Sequence, residues 1–235
     1  MISLEKLDPN ASSLILDAKN LTISDIYCDD GSSRESLKWT LSSPNEMGER
    51  LEVELPDSED LTPKVVVEYR TSPHASGLQW LNPIQTAGKK QPYLFSQCQA
   101  IHARSVLPCQ DTPSVKAPYS ATIRAPADLT VLMSAVREGE DELSGEQKVS
   151  KFVQKVPIPS YLLALAIGAL QSRQIGPRSA VWAERELIED AALDFSQTES
   201  FLKIAEDLSG PYVWGIYDIL VLPPSFPYGK LNIIS

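Results

Sequence analysis

Residues 92–113 read PYLFSQCQAIHARSVLPCQDTP, and this run holds two of the three cysteines and one of the two histidines. We expect an extended strand through Ile101, in which alternate side chains share a face, so that Gln97 and Gln99 point the same way. A glutamine amide offers two donors and an acceptor and does not change charge. The pair therefore suits gripping a peptide backbone or a carboxylate better than transferring protons. The alternative interpretation is that both glutamines line the solvated face of an ordinary half-buried strand.

Short runs of β-type sequence flank this stretch on both sides and are separated by Pro, Gly, Asn and Asp. They predict antiparallel strands, arranged as a β-sandwich or a saddle-shaped pair of sheets. The last and most apolar run, 161–170, is typical of a strand buried on both faces. The chain is therefore expected to be mainly β. The runs are residues 13–16, 21–27, 37–41, 51–55 and 65–69 before the stretch, and 117–125, 129–136, 148–156 and 161–170 after it.

The spacing of apolar residues becomes helical near the end of the chain. Ser196 followed by Glu199 predicts a capping box, and the apolar positions that follow recur at intervals of three and four residues. The pattern predicts a helix over residues 197–208, ended by Gly210. Residues 218–222 then read as a buried strand.

The Gly176-Pro177 pair, within QSRQIGPR, interrupts regular secondary structure and marks the predicted domain boundary. We place a β domain at residues 1–170 and a second unit at residues 171–235. A unit of about 65 residues is smaller than the roughly 70–80 residues that form a stable core without disulfides or a structural metal. The second unit is therefore expected to depend on further structure for its stability.

Three further runs accompany the central stretch in a fixed order: SGLQWLNPIQTAGK, KFVQKVPIPSYLLALAIGALQSRQIGPR and DFSQTESFLKIAEDLSGPYVWGIYDILVLPPSFPYG. Together they resemble the leukotriene A4 hydrolase family, zinc aminopeptidases of the gluzincin class that also open a lipid epoxide. The resemblance covers most of residues 12–229. It implies an all-β N-terminal domain followed by the opening α/β portion of a thermolysin-like catalytic domain. It also implies that the complete enzyme uses zinc and acts on peptide N-termini or a lipid epoxide.

The resemblance assigns substrate-binding roles to five positions. Gln97, Gln99 and Ala100 match the family's substrate-contacting strand, and Tyr228 and Gly229 match its active-site wall. In the family the run PPSFPYG continues with a second glycine and Met-Glu-Asn, whose glutamate holds the free amino group of a peptide. Here Gly229 is followed by KLNIIS, so that glutamate is missing.

The zinc motif of this class needs two histidines four residues apart on a helix, with a glutamate as general base between them. Neither His74 nor His102 begins such a motif. A substitute site from Cys98, His102 and Cys109 has irregular spacing and no CxxC pair, which is weak evidence for a metal. Serine or cysteine catalysis with one of the two histidines stays open, although no nucleophile-elbow motif accompanies them. We expect no catalytic residue, no metal ligand and no cofactor in this chain by itself.

The composition narrows the choice of partners and compartment. The formal net charge of −10 opposes binding to nucleic acid or to anionic membranes. Three cysteines do not form a disulfide framework and suit a reducing, cytoplasmic setting. The longest apolar run is about half of the roughly 20 residues that span a bilayer, and the N-terminus has no signal-peptide pattern.

The sequence thus predicts a fragment of a leukotriene A4 hydrolase-like zinc metallo-aminopeptidase and epoxide hydrolase. The fragment carries the substrate-contacting strand, lacks the zinc motif and is expected to be inactive alone. The alternative is a non-catalytic β-sandwich module that binds a peptide or a protein.

Overall fold

The computed structural model describes residues 1–5, 8, 10–29, 34–56, 62–226 and 231–234. The chain forms two compact units. The first comprises Met1–Leu78, Gln97–Val115 and Pro159–Tyr161, and the second comprises Gln79–Ser96, Lys116–Ile158 and Leu162–Ser235.

The first unit contains two antiparallel sheets, with strand orders β1-β7-β3-β4 and β2-β6-β5. In β2 the residues Leu14 and Leu16 are buried while Ile15 between them is exposed, as the alternation of a strand requires. They pack with Ile26 and Val65 of the other sheet in one core, so the two sheets face each other as a sandwich. The strands are β1 (Ile2–Ser3), β2 (Ser13–Ala18), β3 (Thr22–Asp29), β4 (Arg34–Ser36), β5 (Trp39–Leu41), β6 (Glu49–Glu54) and β7 (Lys64–Arg70).

The second unit contains three sheets. Their orders are β11-β15-β9-β8, β10-β14-β12 with β13 also paired to β14, and β16-β17-β18-β19. The strands are β8 (Leu78–Leu81), β9 (Tyr93–Ser96), β10 (Lys116–Pro126), β11 (Thr130–Met133), β12 (Val136–Arg137), β13 (Glu142–Ser144), β14 (Gln147–Pro159), β15 (Leu165–Gly168), β16 (Leu170–Gly176), β17 (Ser179–Glu184), β18 (Tyr217–Val221) and β19 (Leu231–Ile234).

The last sheet contains a parallel pair, β17 and β18. Parallel neighbours need a crossover connection, and two helices supply it: α1 (Ile188–Asp194) and α2 (Thr198–Ser209). Ile188 of α1 packs with Val181 and Ile219 of the sheet. The predicted fold class is therefore confirmed: antiparallel β structure followed by a short α/β portion. Within the described residues, no helix has both the length and the apolar character needed to cross a membrane.

Four local predictions were wrong. The run 129–136, expected as one strand, is divided between β11 and β12, which belong to different sheets. The strand expected through Ile101 ends at Ser96, because the chain turns there. The run 161–170 is not one strand but a 3-10 turn, β15 and the start of β16. The helix over 197–208 is confirmed within one residue and ends at Gly210 with φ 92°, but its N-cap is Gln197, without a side-chain cap from Ser196.

Candidate functional site

The three predicted contact residues lie on an exposed turn that follows β9. Gln97, Gln99 and Ala100 are all exposed, whereas Cys98 between the glutamines is 1% exposed. The peptide bond between Gln99 and Ala100 is cis. The buried thiol anchors the turn, and the two amides are directed to solvent. Gln97 and Gln99 are thus both exposed, but they stand on a turn and not on the predicted strand.

Gly77 holds the start of this turn. Its carbonyl accepts a hydrogen bond from the Gln97 N–H at 2.9 Å, and its own N–H donates to Ser105 Oγ at 2.8 Å. Ser105 Oγ in turn donates to the carbonyl of His102 at 2.8 Å. A Cβ added at Gly77 would lie 2.6 Å from the His102 carbonyl oxygen. Because real contacts of this kind are not so short, the close approach requires glycine.

His102 closes the turn from the other side. Its N–H donates to the carbonyl of Cys98 at 2.9 Å, and its Nδ1 lies 2.8 Å from Ser76 Oγ. The first bond closes the backbone of the turn, and the second holds the ring. Within the described residues, no group of three or more His, Cys, Asp or Glu side chains is placed to hold a metal ion. Cys98, His102 and Cys109 do not form such a group.

A buried ion pair lies behind the turn. Arg104 is 8% exposed, and its Nε donates to Asp111 Oδ2 at 2.9 Å. The side chain of Asp111 is fully buried, and its other oxygen accepts a 2.6 Å bond from Ser160 Oγ. Arg104 Nη1 donates to the Met47 carbonyl at 2.9 Å, and Asp17 Oδ2 accepts the Asp111 N–H at 3.0 Å. The segment that holds this pair is thus joined to three other pieces of the chain, at Asp17, Met47 and Ser160.

The sequence analysis missed this pair, together with Gly77 and Ser160. A signal for Arg104 exists, since it is a lone charge in an otherwise apolar and small-residue stretch, AIHARSVLP. Buried charges of that kind are almost always paired. The partner is seven residues away, however, a spacing that no regular element explains.

The two cysteines of the segment are chemically quiet. Burial, together with the nearby Asp111 carboxylate, raises the pKa of the Cys98 thiol to about 12. Burial likewise raises the pKa of Cys109 to about 12, with Asp111 and Asp17 contributing. Since the thiolate is the nucleophile, the raised pKa values oppose nucleophilic chemistry at both side chains.

Tyr228 and Gly229, the other two predicted site residues, lie outside the described residues. The segment just before them is described. Phe226 packs edge-on against Phe95 of β9, with ring centroids 5.3 Å apart, and Ser225 Oγ donates to the Gln85 carbonyl at 2.7 Å. These contacts bind the end of the run PPSF to the core of the second unit.

Comparison with known proteins places this geometry in a family. The profile of the Peptidase M1 N-terminal domain matches residues 2–162. Leukotriene A-4 hydrolase of Xenopus laevis is 50% identical over 235 residues, which is 98% of this chain and 38% of the relative. The chain therefore spans little more than a third of that relative's length.

Solved structures of leukotriene A4 hydrolases are also similar to this chain. Yeast leukotriene A4 hydrolase, solved natively and in complex with bestatin, has TM-scores of 0.87 and 0.86 at 38% identity. The match covers 97% of this chain and 35% and 34% of those two chains. An M1 zinc metallopeptidase of Deinococcus radiodurans has a TM-score of 0.72 at 24% identity, covering 90% of this chain and 48% of that one. The similarity to the Deinococcus radiodurans protein shows the fold alone.

Proposed function

The chain belongs to the Peptidase M1 N-terminal domain family, and from this premise we propose that it is the substrate-contacting N-terminal part of a leukotriene A4 hydrolase-like zinc aminopeptidase. Its expected substrates are the N-termini of peptides and a lipid epoxide, as the resemblance to leukotriene A4 hydrolases implies. We place its activity in the cytoplasm, and we place the start of the catalytic domain near residue 171.

One observation carries the proposal: two neutral amides are exposed on a turn that is held from behind. Gln97 and Gln99 offer donors and acceptors to a ligand without changing charge. The turn below them is fixed by the bonds of Gly77 and His102 and by the buried Arg104 pair. A contact group held in place by its surroundings loses little freedom when a ligand binds, which favours affinity and orientation.

In this proposal the chain's own residues supply contact with the substrate. The described residues contain no fitting set of metal ligands, and the sequence contains no HExxH motif. In our proposal the metal, the general base and the residues that hold the peptide amino group belong to polypeptide outside this chain. Ala100, Tyr228 and Gly229 complete the contact set as proposed residues.

A chimera tests the proposal. In this protein, called the frog chimera below, residues 1–226 of the present chain replace the matching part of the full-length Xenopus laevis enzyme. We expect it to release N-terminal amino acids from peptides. The loss of one hydrogen bond to a polar or charged ligand group costs about 1–3 kcal/mol. Gln97→Ala and Gln99→Ala are therefore each expected to lower kcat/KM by about 5- to 150-fold, at 1.4 kcal/mol per factor of ten.

Gln110→Ala is the matched control, since Gln110 is an exposed glutamine of the same segment. The proposal fails if both turn variants keep the kcat/KM of that control. A chain that binds peptides tightly by itself, with an inactive frog chimera, would favour the other candidate function, a non-catalytic peptide-binding module.

A further inference from the structure

The hydroxyl group of Tyr93 is buried in the second unit without a hydrogen-bond partner from the protein. Tyr93 lies on β9 and is 1% exposed, and within the described residues no donor or acceptor pairs with its Oη. The ring lies directly against Gly168 of β15, where an added Cβ would be 2.5 Å from the ring atom Cδ2. Buried hydroxyl groups of native proteins are usually paired with protein or with ordered water. The position of Tyr93 Oη therefore points to a bound ligand.

A second buried polar group, the Glu184 carboxylate, has unused acceptor capacity. Glu184 is the last residue of β17 and is 4% exposed. Its Oε2 accepts the Ala87 N–H at 2.8 Å, and its Oε1 accepts the Gly88 N–H at 3.1 Å. A carboxylate accepts up to about four hydrogen bonds, and both of these donors are neutral backbone groups. The buried carboxylate can therefore take a further donor.

Leu170 connects the two groups in the fold. It belongs to the same buried cluster as Tyr93, and in the antiparallel pair of β16 and β17 it lies directly opposite Glu184. Residues directly opposite each other have their side chains on the same face of a sheet. Burial raises the pKa of Tyr93, and the Glu184 carboxylate raises it as well, so the hydroxyl keeps its proton at neutral pH. Tyr93 Oη is thus a donor close to an acceptor, with no direct hydrogen bond between them.

We propose that one buried water molecule binds between Tyr93 Oη and the Glu184 carboxylate, in what is called the Tyr93 water site below. The water accepts the phenolic hydrogen and donates one of its own hydrogens to the carboxylate, as buried waters do for otherwise unsatisfied polar groups.

Other ligands fit the Tyr93 water site less well. An anion would be repelled by Glu184, and an apolar ligand would leave the hydroxyl unpaired. A divalent metal ion needs several oxygen or nitrogen ligands, and the described part of the chain brings no three His, Cys, Asp or Glu side chains together.

The bound water joins segments that are distant in the sequence. It links β9 to the end of β17, and the carboxylate of Glu184 extends the link to the backbone of Ala87 and Gly88. Directional bonds of this kind specify one alignment of the segments, whereas apolar packing alone is less selective. The inference does not use the proposed function and can be tested without any activity.

Urea unfolding of the chain tests the site through the sign of one change. Tyr93→Phe removes only the hydroxyl group. With the water bound, the variant loses a hydrogen bond, and we expect its urea midpoint to fall by about 0.3–1 M. An unchanged or higher midpoint is the result for a hydroxyl buried without any partner, and it would overturn the proposal. Tyr217→Phe is the matched control, since Tyr217 is a partly buried tyrosine of the same unit; its midpoint should stay within about 0.2 M of the parent.

A crystal structure of the chain gives the direct reading. We expect an ordered water within about 3.2 Å of both Tyr93 Oη and a carboxylate oxygen of Glu184. A direct bond between the two side chains, or no electron density between them, would overturn the proposal.

A comparison of salts distinguishes water from a monovalent cation. We expect the replacement of choline chloride by sodium or potassium chloride to shift the urea midpoints of the parent chain and of Tyr93→Phe equally. A midpoint that rises in the parent chain and not in Tyr93→Phe would show a cation in the Tyr93 water site and overturn the proposal.

Discussion

Replacing Asp111 by alanine should destabilise the first unit strongly. The change removes the carboxylate that pairs with Arg104 and leaves the guanidinium buried. Breaking a buried pair in this way costs about 3–5 kcal/mol. Asp17 stays 3.4 Å from Arg104 Nη1, with its side chain 42% exposed, so the lower end of that range is expected, about 3 kcal/mol. With a urea m-value of about 1–3 kcal/mol/M, the midpoint falls by about 1–3 M.

The assay is urea unfolding of the chain followed by hydrogen exchange and mass spectrometry, which reads peptides of the first unit separately. Glu52→Ala is the control, because it removes an exposed pair, Arg50–Glu52 at 3.0 Å, worth at most about 1 kcal/mol. Adding Arg104→Met to Asp111→Ala should restore part of the loss, since no buried charge is left. A shift for Asp111→Ala no larger than that for Glu52→Ala would refute the view that this pair supports the turn.

Three further outcomes are expected. Gly77→Ala places a Cβ 2.6 Å from the His102 carbonyl oxygen, so it should speed hydrogen exchange at residues 97–102 and lower kcat/KM of the frog chimera; unchanged exchange there would contradict the bracing of the turn. Because burial raises the pKa of Cys98 to about 12, only about one thiol in 10⁴ is ionised at pH 8, and iodoacetamide should label it only after unfolding; labelling of the folded chain at the rate of a free thiol would be inconsistent with this. Hydrogen bonding to Arg178 lowers the pKa of Glu206 from its ordinary 4.5 to about 2. The contribution of Glu206 to stability is therefore complete above about pH 4.5 and is lost as the pH falls toward 2. Glu206→Gln should flatten that part of a plot of melting temperature against pH, and an unaltered plot would count against the Arg178–Glu206 pair.

Alternation along single strands was sufficient to predict most of the fold. Leu14, Ile15 and Leu16 show why: the side of each residue is set by the strand itself, and burial follows. The same alternation misled at residues 97–101. Buried Cys98 between exposed Gln97 and Gln99 imitates a strand. The actual turn depends on the hydrogen bond that the Gln97 N–H donates to the carbonyl of the distant Gly77.

Ion pairs between separate segments of the chain could not be predicted from the sequence. Periodicity predicted the length of α2. Which side of this helix faces the strands is decided by Arg178, which pairs with Glu199 and Glu206. The Arg104–Asp111 pair likewise depends on how separate segments meet. The proposed contact residues rest on the family resemblance and on the chemistry of two neighbouring amides.

The structure of the frog chimera with bestatin bound is the most direct test of the central claim, that this chain contacts the substrate through its exposed turn. The quantity to measure is the distance from the side-chain amides of Gln97 and Gln99 to the polar atoms of the inhibitor. We predict at least one separation within hydrogen-bonding range, about 3.2 Å or less, with the turn unchanged. An inhibitor bound in the chimera without any contact to residues 97–100 would contradict the account.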